Sequence, residues 1–310
     1  MLLNEFAEGL SPRDMTQSDE FSSLLASAGD LGIPHTPEGT RYLSRQTVIR
    51  SQRFHFSEWG QPGRQQILLL HGGNQSSHSW DLVSLHLSDR FHVFALDQRG
   101  HGDSEWSREL DYSIDAMVAD AKAFIADQRL SNPIVFGHSM GGRVTLTLAH
   151  ENPTIAKGLV IVDVGPELTD EGIKTISNFV VRNVEFDDLD EFLDNVVKYD
   201  PFRKREHIAR TVKYNMLRRV DGKYVSKVDH RRIPVPSKDL TLDMMADLPM
   251  PVLVVRGKES NIFLEDAAER MVSRLPKGQL VTVEKTGHNV HSGNTPGFLD
   301  AIGPFLESLS

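Results

Sequence analysis

Short, continuously apolar runs recur along this chain, and most are followed by a stretch with helical spacing. Residues 67–70 read Ile-Leu-Leu-Leu, residues 91–96 Phe-His-Val-Phe-Ala-Leu, and residues 134–136 Ile-Val-Phe. Similar runs stand at 158–162, 251–255 and 279–283. Runs of this kind suit strands covered on both faces. Helices are expected over about 78–87, 113–128, 142–149, 264–274 and 296–309. Met117, Ala121 and Phe124 share one face of the second, and Ser113 is its cap. Before the first run, residues 42–59 alternate apolar with polar, and 47–49 and 54–56 predict two antiparallel edge strands. The whole pattern predicts an α/β fold, a mostly parallel sheet wound right-handed with helices on both faces. Ligands of such sheets bind beyond the carboxyl ends of the strands.

Two stretches depart from this rhythm. Residues 1–40 are acidic and polar, with one short helix expected over 20–28. They read as a partly ordered N-terminal extension on the surface, open to a regulatory or oligomer-forming role. Residues 167–240 hold helical runs, many charges and no buried strand, and read as an inserted helical lid. The core domain is then 41–166 together with 241–310. Within the insert, Phe179, Val180, Phe192, Val196 and Val197 fall at helical spacing and read as lid core. Arg203-Lys204-Arg205 and Arg218-Arg219 read as a solvated face, with attraction of a carboxylate-bearing substrate as the alternative.

The chemistry gathers at strand ends. Gly137-His138-Ser139-Met140-Gly141 lies between a strand and a helix, the context of a nucleophile elbow. The sharp turn strains the Ser backbone and demands small neighbours. Gly73, Asp97, Asp163 and His288 also follow strands. A Ser hydroxyl needs a base within reach, and the base needs an orienting partner. Of 13 His, His288 is the best base: Gly287 precedes it, and a short loop joins it to the strand at 279–283. His291 is the nearest rival, and the side chain of His138 should point away from the nucleophile. An oxyanion would be held by the backbone amides of Met140, at the helix start, and Gly73. The Asn74 side chain is an alternative donor, and Trp80 either walls the pocket or packs a helix. Asp97 and Arg99 read as a loop-bracing ion pair.

These segments resemble the α/β-hydrolases, in the group of small esterases, lactonases and C–C bond hydrolases. The resemblance rests on H-G-G at 71–73, D-Q-R-G-H-G-D-S at 97–104 and G-H-S-M-G-G at 137–142. D-V-G-P at 163–166, R-G at 256–257 and G-H at 287–288 follow in the family's order, so it spans 42–310. It implies a helical cap over 167–240 and a packing role for His101. Most of the family takes its acid from the loop after the strand ending at Val255. Here that loop, 256–261, holds no Asp. A subset of the family takes the acid from the end of the strand that follows the elbow, where Asp163 stands, one strand from Ser139. Asp163 is preferred, with Glu259 and then Asp266 as alternatives. Ser rather than Asp at the elbow argues against haloalkane dehalogenases and epoxide hydrolases.

Composition narrows the classes. A net charge of −9 argues against nucleic acid and anionic membranes as partners. The absence of Cys excludes disulfides, a thiol nucleophile and Cys-ligated metal, and fits a cytoplasmic location. Residues 1–5 lack the basic and apolar pattern of a secretory signal, and no run nears the roughly twenty apolar residues of a membrane span. Without H-E-x-x-H, a close His pair or a P-loop, no metal, nucleotide or other cofactor is expected. The expected function is a cofactor-independent serine hydrolase acting on a small-molecule ester, lactone or related carbonyl compound. Hydrolysis of a C–C bond in a diketone-like substrate and a non-catalytic ligand receptor are the alternatives. Transfer of the acyl group to an acceptor other than water is not separated from hydrolysis. The expected partner is a small-molecule substrate, and the oligomeric state is open, a homodimer being one option.

Overall fold

A computed structural model of the chain describes residues 11–36, 39–182, 184–231 and 239–309. The first half forms β1 (Arg13–Asp14), α1 (Asp19–Leu31), β2 (Tyr42–Ile49), β3 (Gln52–Trp59) and β4 (Gln66–Leu70). It continues with α2 (Asp81–Leu87), β5 (His92–Leu96), α3 (Ile114–Asp127), β6 (Ile134–His138), α4 (Met140–Glu151) and β7 (Gly158–Val162). An insert follows with α5 (Asp170–Arg182), β8 (Glu185–Phe186), α6 (Leu189–Tyr199), α7 (Arg205–Val212), β9 (Met216–Arg218) and β10 (Tyr224–Ser226). After α8 (Leu242–Met245) come β11 (Val252–Gly257), α9 (Glu265–Arg274), β12 (Gly278–Val283), α10 (Val290–Gly293) and α11 (Thr295–Ser308).

Nine strands make one sheet in the order β1-β2-β3-β5-β4-β6-β7-β11-β12. From β5 to β12 every pairing is parallel, and β1, β2 and β3 add an antiparallel edge. The apolar runs split between the two faces by the period of two. Leu68 and Leu70 pack with Phe124 of α3 and Val144 of α4 on one side. Ile67 and Leu69 pack with Leu85 of α2 and Phe298 of α11 on the other. Each such side chain, fully buried, contributes about 1.5–3 kcal/mol. Ser113 does cap α3, its Oγ accepting the Ala116 N–H at 3.1 Å.

The N-terminal segment is more ordered than its composition suggests. β1 pairs antiparallel with β2, and α1 runs three residues beyond the expected helix end. Phe21, Leu24 and Ala28 of α1 enter the same core cluster as Tyr42 and Trp59. These three apolar side chains hold the helix against the sheet, whatever the polarity of the rest. The insert also departs from the all-helical expectation. β8, β10 and β9 form a small antiparallel sheet beside the insert's own cluster of Phe186, Phe192, Leu193 and Ile208. These strands are two or three residues long, too short for alternation to show in the sequence. Of the residues read as lid core, the side chains of Phe179 and Val180 lie outside the described ones, as do residues 1–10 of the extension.

Asp97 and Arg99 brace loops, but not as a pair with each other. Asp97 accepts from His55 Nδ1 at 2.7 Å and from the Ser77 and Asp103 amides. Arg99 forms a two-pronged bond to Asp120 of α3, at 2.5 and 2.8 Å, both side chains being buried. Their side chains diverge because the chain turns sharply after β5 toward α3. Half-exposed Arg50 also touches Asp120, at 2.7 Å. Arg99→Met strands a buried carboxylate and should cost about 3 kcal/mol or more, whereas Arg50→Met should cost about 1. Urea denaturation of the two variants checks this, and equal losses would contradict it.

Candidate functional site

β6 ends at His138, and the next residue turns the chain into α4. Ser139 sits at φ 50°, ψ −115°, a conformation that costs an ordinary residue about 1–3 kcal/mol. Two bonds hold it there. Its N–H donates to the Val162 carbonyl at 3.1 Å, and its carbonyl accepts the Arg143 N–H at 3.0 Å. The neighbours must be glycine. A Cβ on Gly137 would lie 2.4 Å from the Gly141 carbonyl oxygen, and one on Gly141 would lie 2.3 Å from that of Leu70.

Asp163 repeats the device one strand over. It follows β7 directly, has φ 50°, and its N–H donates to the Val255 carbonyl at 2.8 Å. Its carboxylate is fully buried and accepts three bonds: Gly257 N–H at 3.0 Å, Ser260 Oγ at 2.5 Å and His288 Nδ1 at 2.8 Å. That last contact orients the imidazole and fixes Nδ1–H as the donor. The other acids lie elsewhere. Glu259 is exposed and clasps the histidine loop, accepting the Thr286 N–H at 2.8 Å and donating its own to the Thr286 carbonyl at 3.1 Å. Asp266 pairs with Arg270 on the surface at 2.9 Å.

Ser139 and His288 open into one cavity of about 590 Å³, which Gly73, Asn74 and Met140 also line. The insert supplies Phe192, Val196, Tyr199 and Arg203 to its wall. Trp80 does not line it: the indole is buried and stacks on His291 at 3.9 Å. His291 lies beneath the site and not in it. His101 is buried, its Nδ1 donating to the Arg99 carbonyl at 2.9 Å.

Sequence reasoning missed the polar chain behind these groups. His138 Nε2 donates to the His288 carbonyl at 3.0 Å, and its Nδ1 faces Gln75 Oε1 at 3.1 Å. Gln75 Oε1 also accepts the Gly72 N–H at 3.1 Å, and Gln75 Nε2 donates to Asn289 Oδ1 at 2.9 Å. Asn289 Nδ2 donates in turn to Asp200 Oδ2 at 3.2 Å. The turn after β4, the histidine loop and the insert are thus joined. Gln75 and Asn289 flank motif residues, which was the available signal; Asp200 had none.

Among the described residues, His55, Asp97 and Asp103 are the cluster closest to a metal-binding geometry. Its donors are already committed. His55 bonds Asp97 through Nδ1 and Ser44 through Nε2, and Lys227 takes Asp103 Oδ1 at 2.6 Å. Among the described residues no helix is long and apolar enough to cross a membrane.

A parallel sheet carrying a strained Ser between strand and helix, with a buried His–Asp contact at the same edge, defines the class of α/β hydrolases. The family described as alpha/beta hydrolase fold matches residues 66–295, and the chain belongs to it. It is 28% identical over 308 residues to esterase Rv0045c of Mycobacterium tuberculosis, covering 96% of this chain and 99% of that one. It is 27% identical over 276 residues to the 3-hydroxybutyrate-oligomer hydrolase of Cupriavidus necator, covering 81% and 92%. The crystal structure of Rv0045c superposes with a TM-score of 0.76 and 24% identity over 94% of this chain and 99% of that one.

Burial, ahead of repulsion from neighbouring histidines, holds His138 well below the ordinary histidine range, and burial does the same to His291 and, less strongly, to His71. His71 shows why: Nδ1 donates to the Gly72 carbonyl while Nε2 accepts the Gln98 N–H, a neutral tautomer that a second proton would break. The unfolded chain takes up these protons near pH 6.5 and the fold does not. Stability from the three is therefore full above pH 6.5 and lost as pH falls, by about 1 kcal/mol per pH unit for each. For His55, burial is outweighed by the Asp97 contact, its affinity rises, and it opposes the trend. His291→Phe keeps a ring against Trp80 and removes one such group. Between pH 7.5 and 5.5 its stability to urea should fall less than that of the unaltered protein, by about 1 kcal/mol. An unchanged pH slope would contradict the account.

Proposed function

We propose that this α/β hydrolase is a serine hydrolase cleaving small-molecule carboxylic esters. The observation that carries the reading is the 2.8 Å contact from buried Asp163 to Nδ1 of His288, whose ring lines the cavity that Ser139 shares. In this reading Ser139 Oγ attacks the ester carbonyl while His288 Nε2 takes its proton. Asp163 holds the imidazole in the required tautomer and stabilises the imidazolium that forms. The oxyanion is met by the amides of Gly73 and Met140, each worth about 3–4 kcal/mol, with help from the positive end of α4. His288 then protonates the departing alcohol. Water, deprotonated by the same imidazole, clears the acyl-enzyme.

In the same reading residues 167–240 act as the cap, and the core is 41–166 with 241–310. Phe192 and Val196 on the cavity wall support a lid that shapes the acyl pocket. The names of the two relatives, an esterase and a 3-hydroxybutyrate-oligomer hydrolase, agree with ester chemistry.

A fluorophosphonate probe should label Ser139 and fail to label Ser139→Ala. Asp163→Asn should lower kcat on p-nitrophenyl butyrate by about 10³- to 10⁴-fold. Glu259→Gln, whose carboxylate serves only the loop, should stay within about threefold of the unaltered enzyme. Absent labelling of folded protein would refute the nucleophile, and the reverse ranking of the two acid variants would refute Asp163.

A further inference from the structure

The cavity's charge runs against that of the whole protein. The chain carries −9, yet no Asp or Glu is among the described residues lining the cavity around Ser139 and His288, and two arginines are. Arg143 comes from α4, one turn past Ser139, and Arg203 from the loop before α7 in the insert. The Arg143 guanidinium makes no hydrogen bond or ion pair to any described residue. Arg203 is satisfied only in part: Nη2 donates to the His207 carbonyl at 3.1 Å and to Thr211 Oγ1 at 3.2 Å. Its Nε is buried with no partner among the described residues. Asp200 attracts it but forms no ion pair or hydrogen bond with it; the Asp200 Oδ2 takes Asn289 Nδ2 at 3.2 Å, and the residue does not line the cavity. Burial lowers Arg203 to about 10, which leaves it cationic at neutral pH.

A cation held partly out of water without a paired anion is unfavourable unless something supplies one. Guanidinium forks match the two oxygens of a carboxylate. The wall also carries apolar side chains, Ile114, Leu168 and Val196 among them, suited to a short acyl chain. We propose that the substrate carries a free carboxylate, held by Arg143 and Arg203 while its ester carbonyl lies at Ser139. This rests on the serine-hydrolase reading for its chemistry, though not for the anion site itself. Arg203, read from the sequence as part of a solvated face, is then a specificity-determining residue.

Two arms test it. In the first, kcat/KM is compared for mono-p-nitrophenyl glutarate and for its neutral methyl ester. The free acid should be preferred by about tenfold or more, chiefly through KM, and Arg143→Gln and Arg203→Gln should each reduce that ratio. In the second, calorimetry measures monomethyl glutarate, dimethyl glutarate and inorganic phosphate binding to Ser139→Ala, which needs no turnover. Only the monoacid should bind, and Arg143→Gln should weaken it about tenfold. Thermal unfolding shows whether Arg203→Gln folds; Arg143, on an ordered helix surface, keeps the test valid if it does not. A ratio at or below one, a ratio blind to both substitutions, or binding of phosphate instead of the monoacid overturns the proposal. If no ester turns over yet the monoacid binds through Arg143, the hydrolase reading fails and the anion site stands.

Discussion

One buried carboxylate joins the parts of this site. Asp163 accepts from the His288 ring, from the amide that ends β11 and from Ser260 in the loop beyond it. Two segments distant in sequence, the end of β11 with its following loop and the histidine loop, are thereby fixed to the end of β7. With no exposure to water, the carboxylate depends on all three donors, since a buried anion left unpaired costs several kcal/mol. The constraint runs both ways: the donors are positioned by the anion they satisfy.

The backbone carries the same logic. Ser139 and Asp163 follow adjacent parallel strands and both take φ 50°. Each remains tied by its N–H to the next strand over, Ser139 to Val162 and Asp163 to Val255. The sheet's hydrogen bonding therefore reaches one residue past the regular strands and holds two strained residues in register. A strand spacing of about 4.8 Å then brings hydroxyl and carboxylate to neighbouring positions on one edge. Gly257 completes the packing, because a Cβ there would meet the Gly287 carbonyl at 2.1 Å and push the histidine loop away.

Much of this was legible in the residues. Continuous apolar runs mark buried parallel strands whatever their order in the sheet, so β4, β6, β7 and β11 were readable. The glycines around Ser139 are legible for steric reasons. The acid was less so, because Asp163 and Glu259 both follow sheet strands, and only three dimensions show which carboxylate meets Nδ1. The N-terminal segment misled through composition: α1 docks by Phe21, Leu24 and Ala28, while Asp19, Ser22, Ser23 and Asp30 face outward. In the insert, Asp221-Gly222 is a hairpin signal, and Gly222 takes φ 91° between β9 and β10. Strands of three residues flank it, so no alternation supports the turn.

The insert and the edge it covers are not independent bodies. Asp200 reaches Asn289 beside the proposed base, and through Gln75 the chain of bonds arrives at the turn that presents Gly73. On its other side the insert meets α1, where Asp30 takes Lys204 at 2.8 Å and His207 at 2.9 Å. Exposed contacts of the second kind contribute little. The first kind is partly buried, and breaking it strands amide groups beside the proposed base. Movement of the insert is therefore resisted most where it would disturb the turn and the imidazole.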